Sequence, residues 1–382
     1  MLLETLTWRD GAGWSAAWPA DMDSPGTLAV IFGGTASAAM RAALADVSAR
    51  LPRSVTIGCS SAGEIAGGHV HDNTLSLALA RFDSVALRKV SHVLVSGGDA
   101  FEVGAAMARA LDGPDLRAVF VLCDGMRANG SRLAAGLSAA LSPCIVVTGG
   151  LAGDGDRFGT TWVLGDEGPA ESLATAVGLY GARLQVGHGC HAGWAAFGPE
   201  RTITRSSGNV LYELDGKPAL ALYRTYLGER AAGLPATALL FPLAVRAPDD
   251  DGMPIVRTIL GLNEAAQSLT FAGDMPEGYR ARLMRTRTES LIQSAGLAGA
   301  RAARDFAELS RPLAIAVSCV GRRLVLGERT EEEIESVLDA LPRHAAQVGF
   351  YSYGEIAQRH RGDACDLHNQ TMTVTLFDEA SA

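Results

Sequence analysis

GCSSAGEI at Gly58–Ile65 and GFYSYGEI at Gly349–Ile356 are one phrase written twice, agreeing at five of eight positions. What surrounds them agrees as well. Ahead of the first stands the apolar run Leu28–Phe32, closed by Gly33-Gly34, which predicts a buried strand. Met40, Leu44, Val47 and Leu51 then recur on one helical face, Pro52 stops that helix, and Val55–Ile57 leads into the phrase. Thr74–Ala80, after Asn73, alternates like a closing strand. Ahead of the second phrase the order is the same: a strand at Leu313–Val317, then a helix face of Ile334, Val337, Leu338 and Leu341 that ends at Pro342. Thr330 and Glu333 have the spacing of a capping box at the start of that helix. Thr371–Phe377 closes the copy.

A fainter third copy lies between them. Ala118–Leu122 reads as its strand, Leu133, Leu137 and Leu141 as its helix face, and Ile145–Val147 leads into TGGLAGDG at Thr148–Gly155. Counting from Leu51 to Gly63 and from Leu141 to Gly153 places Asp154 where the first copy has Glu64. Between Gly233 and Thr286 the chain reads as strands, at Ala238–Val245, Pro254–Leu260 and Tyr279–Arg285, followed by a helix from Thr288 to Phe306. The expected class is α/β: two pseudo-repeated halves whose mixed sheets, flanked by helices, surround a shared cleft. The expected division is an N-terminal segment 1–26, a first domain 27–210 and a second domain 211–382.

Bulk composition removes several function classes. Acidic residues outnumber basic ones, 42 to 33, and no run of Lys or Arg stands out, so a nucleic-acid surface is not expected. The start MLLETLTWRD lacks the basic and apolar regions of a secretory signal, and no apolar stretch is long enough to cross a membrane. The 6 cysteines are dispersed without a C-x-x-C pair. A reducing, cytoplasmic setting follows as the expectation. No Gly-Lys-Ser/Thr follows the glycines at Gly149-Gly150 and Gly153, and no G-x-G-x-x-G joins a strand to a helix, so nucleotide binding has no support.

The chemistry-bearing residues cluster at the repeated phrase. Glu64, Asp154 and Glu355 follow glycines at strand exits, where a carboxylate either meets a ligand or holds its own loop. Ser61 stands beside the first turn, and Tyr351 and Tyr353 wall the last one against a planar or apolar ligand. Cys59 as a nucleophile, or a carboxylate pair, would make a hydrolase. The second phrase carries Phe350 where the first has Cys59, so the repeat itself does not require a thiol, and a non-enzymatic role is expected.

GCSSAGEI, GGLAGDG, ELDGKPALALY, SCVGRR (Ser318–Arg323), GFYSYGEI and LHNQT (Leu367–Thr371), in this order, resemble the FIST family, with its N-terminal and C-terminal domains in tandem. The resemblance implies a sensory protein of signal transduction that binds a small ligand. Its signal would pass to a separate partner such as a histidine kinase. The stand-alone NosP-type branch is similar in length and implies haem as cofactor and nitric oxide as signal. A haem needs an axial ligand, and the histidines of VGHGCHAGW, read as a glycine-rich link between two strands of the N-terminal half, supply His188 as first candidate. His191 and His368 stand behind it. A haem-free sensor of a small metabolite, such as an amino acid held by Glu64 and Glu355, is the competing expectation. Self-association into a homo-oligomer is a further partnership left open by the sequence.

Overall fold

The computed structural model describes residues 1–95, 98–249 and 254–380. The repeat is threefold. In each unit two parallel strands lie side by side: Thr27–Gly33 with Val55–Ser60, Leu116–Cys123 with Val146–Leu151, and Leu313–Cys319 with Ala346–Ser352. A parallel pair needs a long crossover, and helices supply it, at Ala38–Arg50, Gly130–Ala140 and Val320–Leu326 with Thr330–Asp339. A closing strand (Thr74–Arg81, Leu173–Tyr180 or Met372–Glu379) returns antiparallel to the first strand. A leading strand (Leu2–Arg9, Ala86–Val93 or Leu184–His191) covers its far side. Leu2–Arg9 therefore makes the expected N-terminal segment part of the first sheet.

The three units are tied into a ring. After its phrase, each unit sends a hairpin to a neighbour's sheet. Glu64–Ala66 of the first pairs with Ala346–Ser352 of the third, and Gly354–Gln358 of the third pairs with Val146–Leu151 of the second. Val163–Gly165 of the second pairs back to Val55–Ser60 of the first. Inside the ring, Phe32 and Ile57, Phe120 and Val146, and Val317 and Phe350 form one core, with the Phe32 and Phe350 rings stacked at 4.6 Å. Strands such as Thr27–Gly33 and Leu313–Cys319 are buried along their whole length, which explains why they read as continuous apolar runs. The expected α/β class with mixed, helix-flanked sheets is what forms.

Between the leading strand Leu184–His191 and the helix Thr288–Ala302 of the third unit, the chain builds a subdomain with its own sheet. Its separate core gathers Leu211, Tyr223, Leu269 and Phe271. Here one expectation changes. The run Ala238–Val245 is split into a 3-10 turn, Ala236–Leu240, and a strand, Leu243–Arg246. Pro242 stands at the break and has no N–H to give a ladder.

Three further expectations need correction. VGHGCHAGW is no link within the N-terminal half, because its first part is the leading strand of the third unit. Gly187 and Gly189 are there because a Cβ at either would meet a carbonyl oxygen of the helix Thr288–Ala302, that of Ala302 or Ala298, at 2.0 Å. The Thr330–Glu333 capping box does not form. Thr330 is already helical, behind a 3-10 turn, and its hydroxyl bonds to the Gly327 carbonyl, while Glu333 faces inward. Asp154 is not the counterpart of Glu64. Gly58, Gly149 and Gly349 occupy equivalent register positions, opposite Ile31, Val121 and Ala316. Equivalent backbone bonds then close the ring: Ala62 N to Tyr351 O at 2.8 Å, Gly153 N to Ser60 O at 3.0 Å, and Tyr353 N to Leu151 O at 3.1 Å. Gly155 thus stands level with Glu64 and Glu355. The connection from helix to strand is one residue shorter in the first unit, which defeats a count begun at Leu51.

Candidate functional site

The turn carboxylates come first. Glu64 Oε2 accepts from the N–H and hydroxyl of Thr74, at 2.9 and 3.0 Å. Glu355 Oε2 accepts from the N–H and hydroxyl of Thr371, at 3.1 and 2.7 Å, and its other oxygen accepts from Ser352. In both units the acid pins the start of the closing strand, a local carboxylate-to-backbone bond. The second unit does this with Asp124, which accepts from Ser172 N and the Thr161 hydroxyl, both at 2.6 Å. Asp154 instead gathers the N–H groups of Gly159 and Thr160 at 2.9 Å, and takes the Tyr353 hydroxyl. Ser61 Oγ accepts from Gly63 N at 2.8 Å.

Burial raises the pKa of Glu64 to about 8 and of Glu355 to about 7, against the opposing pull of their threonine donors. A carboxyl whose folded pKa is raised stabilises the fold fully below its ordinary value and loses that contribution as pH rises through the folded value. Thermal unfolding of the wild type should therefore shift to lower temperature between about pH 5 and 8. The Glu64→Gln, Glu355→Gln double variant should show a visibly flatter profile over that range. Parallel profiles would mean that both groups stay ionised.

Tyr351 is fully buried, and its hydroxyl donates to Glu333 at 2.7 Å. Glu333 also takes the Ser318 hydroxyl at 2.9 Å and the Arg322 guanidinium at 2.7 and 3.0 Å, with Arg322 and Glu333 both 0% exposed. Arg322 reaches onward to the carbonyls of Ala192 and Leu291. This network anchors the SCVGRR turn, so Tyr351 works for the scaffold.

The histidines do not fit a haem. His188 spends both nitrogens on protein, Nε2 on the Gln358 carbonyl at 2.8 Å and Nδ1 on the Thr375 hydroxyl at 3.3 Å. His368 Nε2 is held by the Ala357 carbonyl at 3.1 Å. Burial lowers the pKa of both rings to about 4, so they are neutral. His191 has an unpaired Nδ1, yet none of the three lines the main clefts of the molecule, where a macrocycle would need room. Among the described residues no group of three or more His, Cys, Asp or Glu is disposed to hold a metal ion. Cys59 is fully buried, with burial pushing its thiol pKa well up, so it offers no thiolate for attack.

Two clefts open past the C-terminal ends of the parallel strands, the usual place for ligands in open α/β sheets. The first, about 680 Å³, is lined by Gly34, Ser61, Glu64, Asp72, Arg157 and Arg323. Its charges answer one another: Arg323 grips Asp72 with two bonds, at 2.7 and 2.8 Å. The second, about 580 Å³, lies between the second unit (Gly125–Asn129, Leu151), the third (Cys319–Gly321, Asn369) and the inserted subdomain (Asn209, Thr258, Phe271). Phe158 and Tyr353, stacked at 4.6 Å, form one wall. Asn369 is 0% exposed, and both its amide nitrogen and its amide oxygen lack a partner. The buried Thr258 hydroxyl on the subdomain side is unpaired as well. Leaving such groups unmet costs about 1–3 kcal/mol each, so an ordered water or a ligand is expected to complete the bonds. The Thr373 hydroxyl and the Oε1 atoms of Gln347, Gln358 and Gln370 are open in the same way outside this cleft.

Residues 27–217 match the family model for the FIST N domain, and 219–358 that for the FIST C domain. The chain belongs to the FIST family. FIST domains are associated with sensing small ligands in signal transduction. No curated protein is significantly similar to this FIST chain in sequence. Among solved structures, cyanuric acid hydrolase from A. caulinodans is similar over 94% of this chain and 92% of its own, at 13% identity and a TM-score of 0.33. At that distance the likeness bears on neither activity nor ligand. Among the described residues no helix of the FIST chain is long and apolar enough to cross a membrane. Of the residues singled out in the sequence, Tyr353 reaches the second cleft, and Ser61 and Glu64 reach the first. Asn369 stood in the sequence only as a turn residue ahead of the closing strand, inside LHNQT. Thr258, in the subdomain, carried no signal.

Proposed function

We propose that this FIST protein is a haem-free, non-enzymatic sensor of a small, largely apolar metabolite bound in the second cleft. The observation that carries this is the pair of unmet polar side chains, Asn369 from the third unit and Thr258 from the subdomain, that line one mostly apolar cleft. A pocket of this size with few, convergent polar groups is the ordinary form of a small-molecule site.

The walls also suggest how binding becomes a signal. Arg257 pins the subdomain to the ring, donating to the Leu367 carbonyl at 2.6 Å and lying 3.6 Å from Asp366. Asn129 holds Asp274 across the same seam at 2.9 Å. A ligand touching both walls favours the arrangement that closes them, and its differential affinity sets the shift between arrangements. A separate signalling partner, such as a histidine kinase, reads that shift.

The test is a thermal-shift screen of small metabolites on the wild type and on Ala272→Phe, which fills the cleft from a half-buried position. A ligand at a hundredfold excess over its Kd should add about 2.7 kcal/mol of stability. Ala272→Phe should remove that gain. Retained binding in Ala272→Phe would move the site elsewhere. An intense Soret band on haem addition, altered in His188→Ala, would overturn the haem-free reading.

A further inference from the structure

Resting on that site, we infer that the ligand is a neutral molecule with a carboxamide-type edge, an N–H beside a C=O, carried on a flat apolar body. Two features of the cleft select this class.

The first is the pattern of unmet bonds. A primary amide presents a donor and an acceptor side by side in one plane, and Asn369 leaves both open. The partner that satisfies both at once offers an acceptor beside a donor, in plane: another amide, open or cyclic. A carboxylate offers only acceptors and an ammonium only donors, so either would leave half of Asn369 unmet. The Thr258 hydroxyl, able to donate or accept, adapts to whichever lone pair or proton remains.

The second is charge. Arg127 is the charged residue of the lining, and it is engaged by Glu171 and stands 3.9 Å from Asp124. Among the described lining residues no second charged side chain stands ready to answer both the carboxylate and the ammonium of a zwitterion, whose desolvation would then be poorly compensated. This separates the proposal from an amino-acid ligand. The stacked Phe158 and Tyr353, with Leu151 and Phe271, suit a flat apolar body over a flexible chain.

Benzamide, benzoate and phenylalanine carry the same ring with three different heads, and calorimetric titration of the full chain compares them directly. Benzamide should bind at least tenfold more tightly than either of the others. Asn369→Leu, close to isosteric, should lose that binding at least tenfold while melting no lower than the wild type, because it removes two unpaired atoms. Thr258→Val is the second variant and should weaken benzamide several-fold with the fold intact. Equal or tighter binding of benzoate or phenylalanine, or no benzamide binding at millimolar concentration, overturns the amide class. The cleft reading would survive that result if a ligand of another class is still lost in Ala272→Phe. Failure of both would refute the site itself.

Discussion

Glu333→Ala should be among the most damaging single changes to this protein, costing about 3–5 kcal/mol, the usual penalty for orphaning a buried charge. Arg322, with no exposed surface, would keep its carbonyl partners but lose the carboxylate that neutralises it. The hydroxyls of Ser318 and Tyr351 would lose their acceptor in the same step. Urea unfolding reads the loss. The informative companion is Arg322→Met with Glu333→Leu, which removes both charges. Buried pairs replaced by apolar residues of similar volume are often neutral, so the double variant should regain the part of the loss that comes from the orphaned charge, while the Ser318 and Tyr351 hydroxyls stay without their acceptor. A single variant as stable as the wild type would mean that solvent reaches the pair.

The second large effect is steric. At Gly149 a Cβ would lie 1.8 Å from the Val121 carbonyl oxygen, and the backbone has φ +143°. The obstacle is the backbone of the neighbouring strand in the middle of a sheet, which cannot rotate away. Gly149→Ala is therefore expected to prevent accumulation of soluble, folded protein, beyond the roughly 4–5 kcal/mol that marks exceptional substitutions. Gly67→Ala is the control. Gly67 has φ +59° but nothing within 4 Å of a Cβ, so only the left-handed backbone cost of about 1–2 kcal/mol applies. Similar melting of the two variants would show that conformation, and not the close strand, sets the demand for glycine at position 149.

Much of this architecture was legible before any coordinate. The strands Thr27–Gly33 and Leu313–Cys319 announce themselves because burial on both faces forces continuous apolar runs. The helix faces follow from their spacing: Met40, Leu44 and Val47 are buried as their period requires. The histidine strand Leu184–His191 was hidden because its glycines, which serve a helix packed across it, imitate a loop. Of the site, Tyr353 alone was named as a ligand-binding candidate, while Cys319–Gly321 and Asn369 lay inside SCVGRR and LHNQT without such a role. Asn369 and Thr258 are 111 residues apart and line one cleft from different units.

The recurring phrase and its surroundings showed the strand–helix–strand unit and its repetition, because periodicity and turn chemistry are local properties of a chain, and six motifs in order carried the family. Tertiary structure decided which acids hold which strands, that Asp124 and not Asp154 takes the scaffold role of Glu64, and that His188 and His368 are tied to backbone carbonyls. It also decided where polar groups go unmet. Those outcomes depend on hydrogen-bond partners brought from distant segments, and on hairpins exchanged around a ring, where a one-residue difference in a connection changes which side chain faces the cleft.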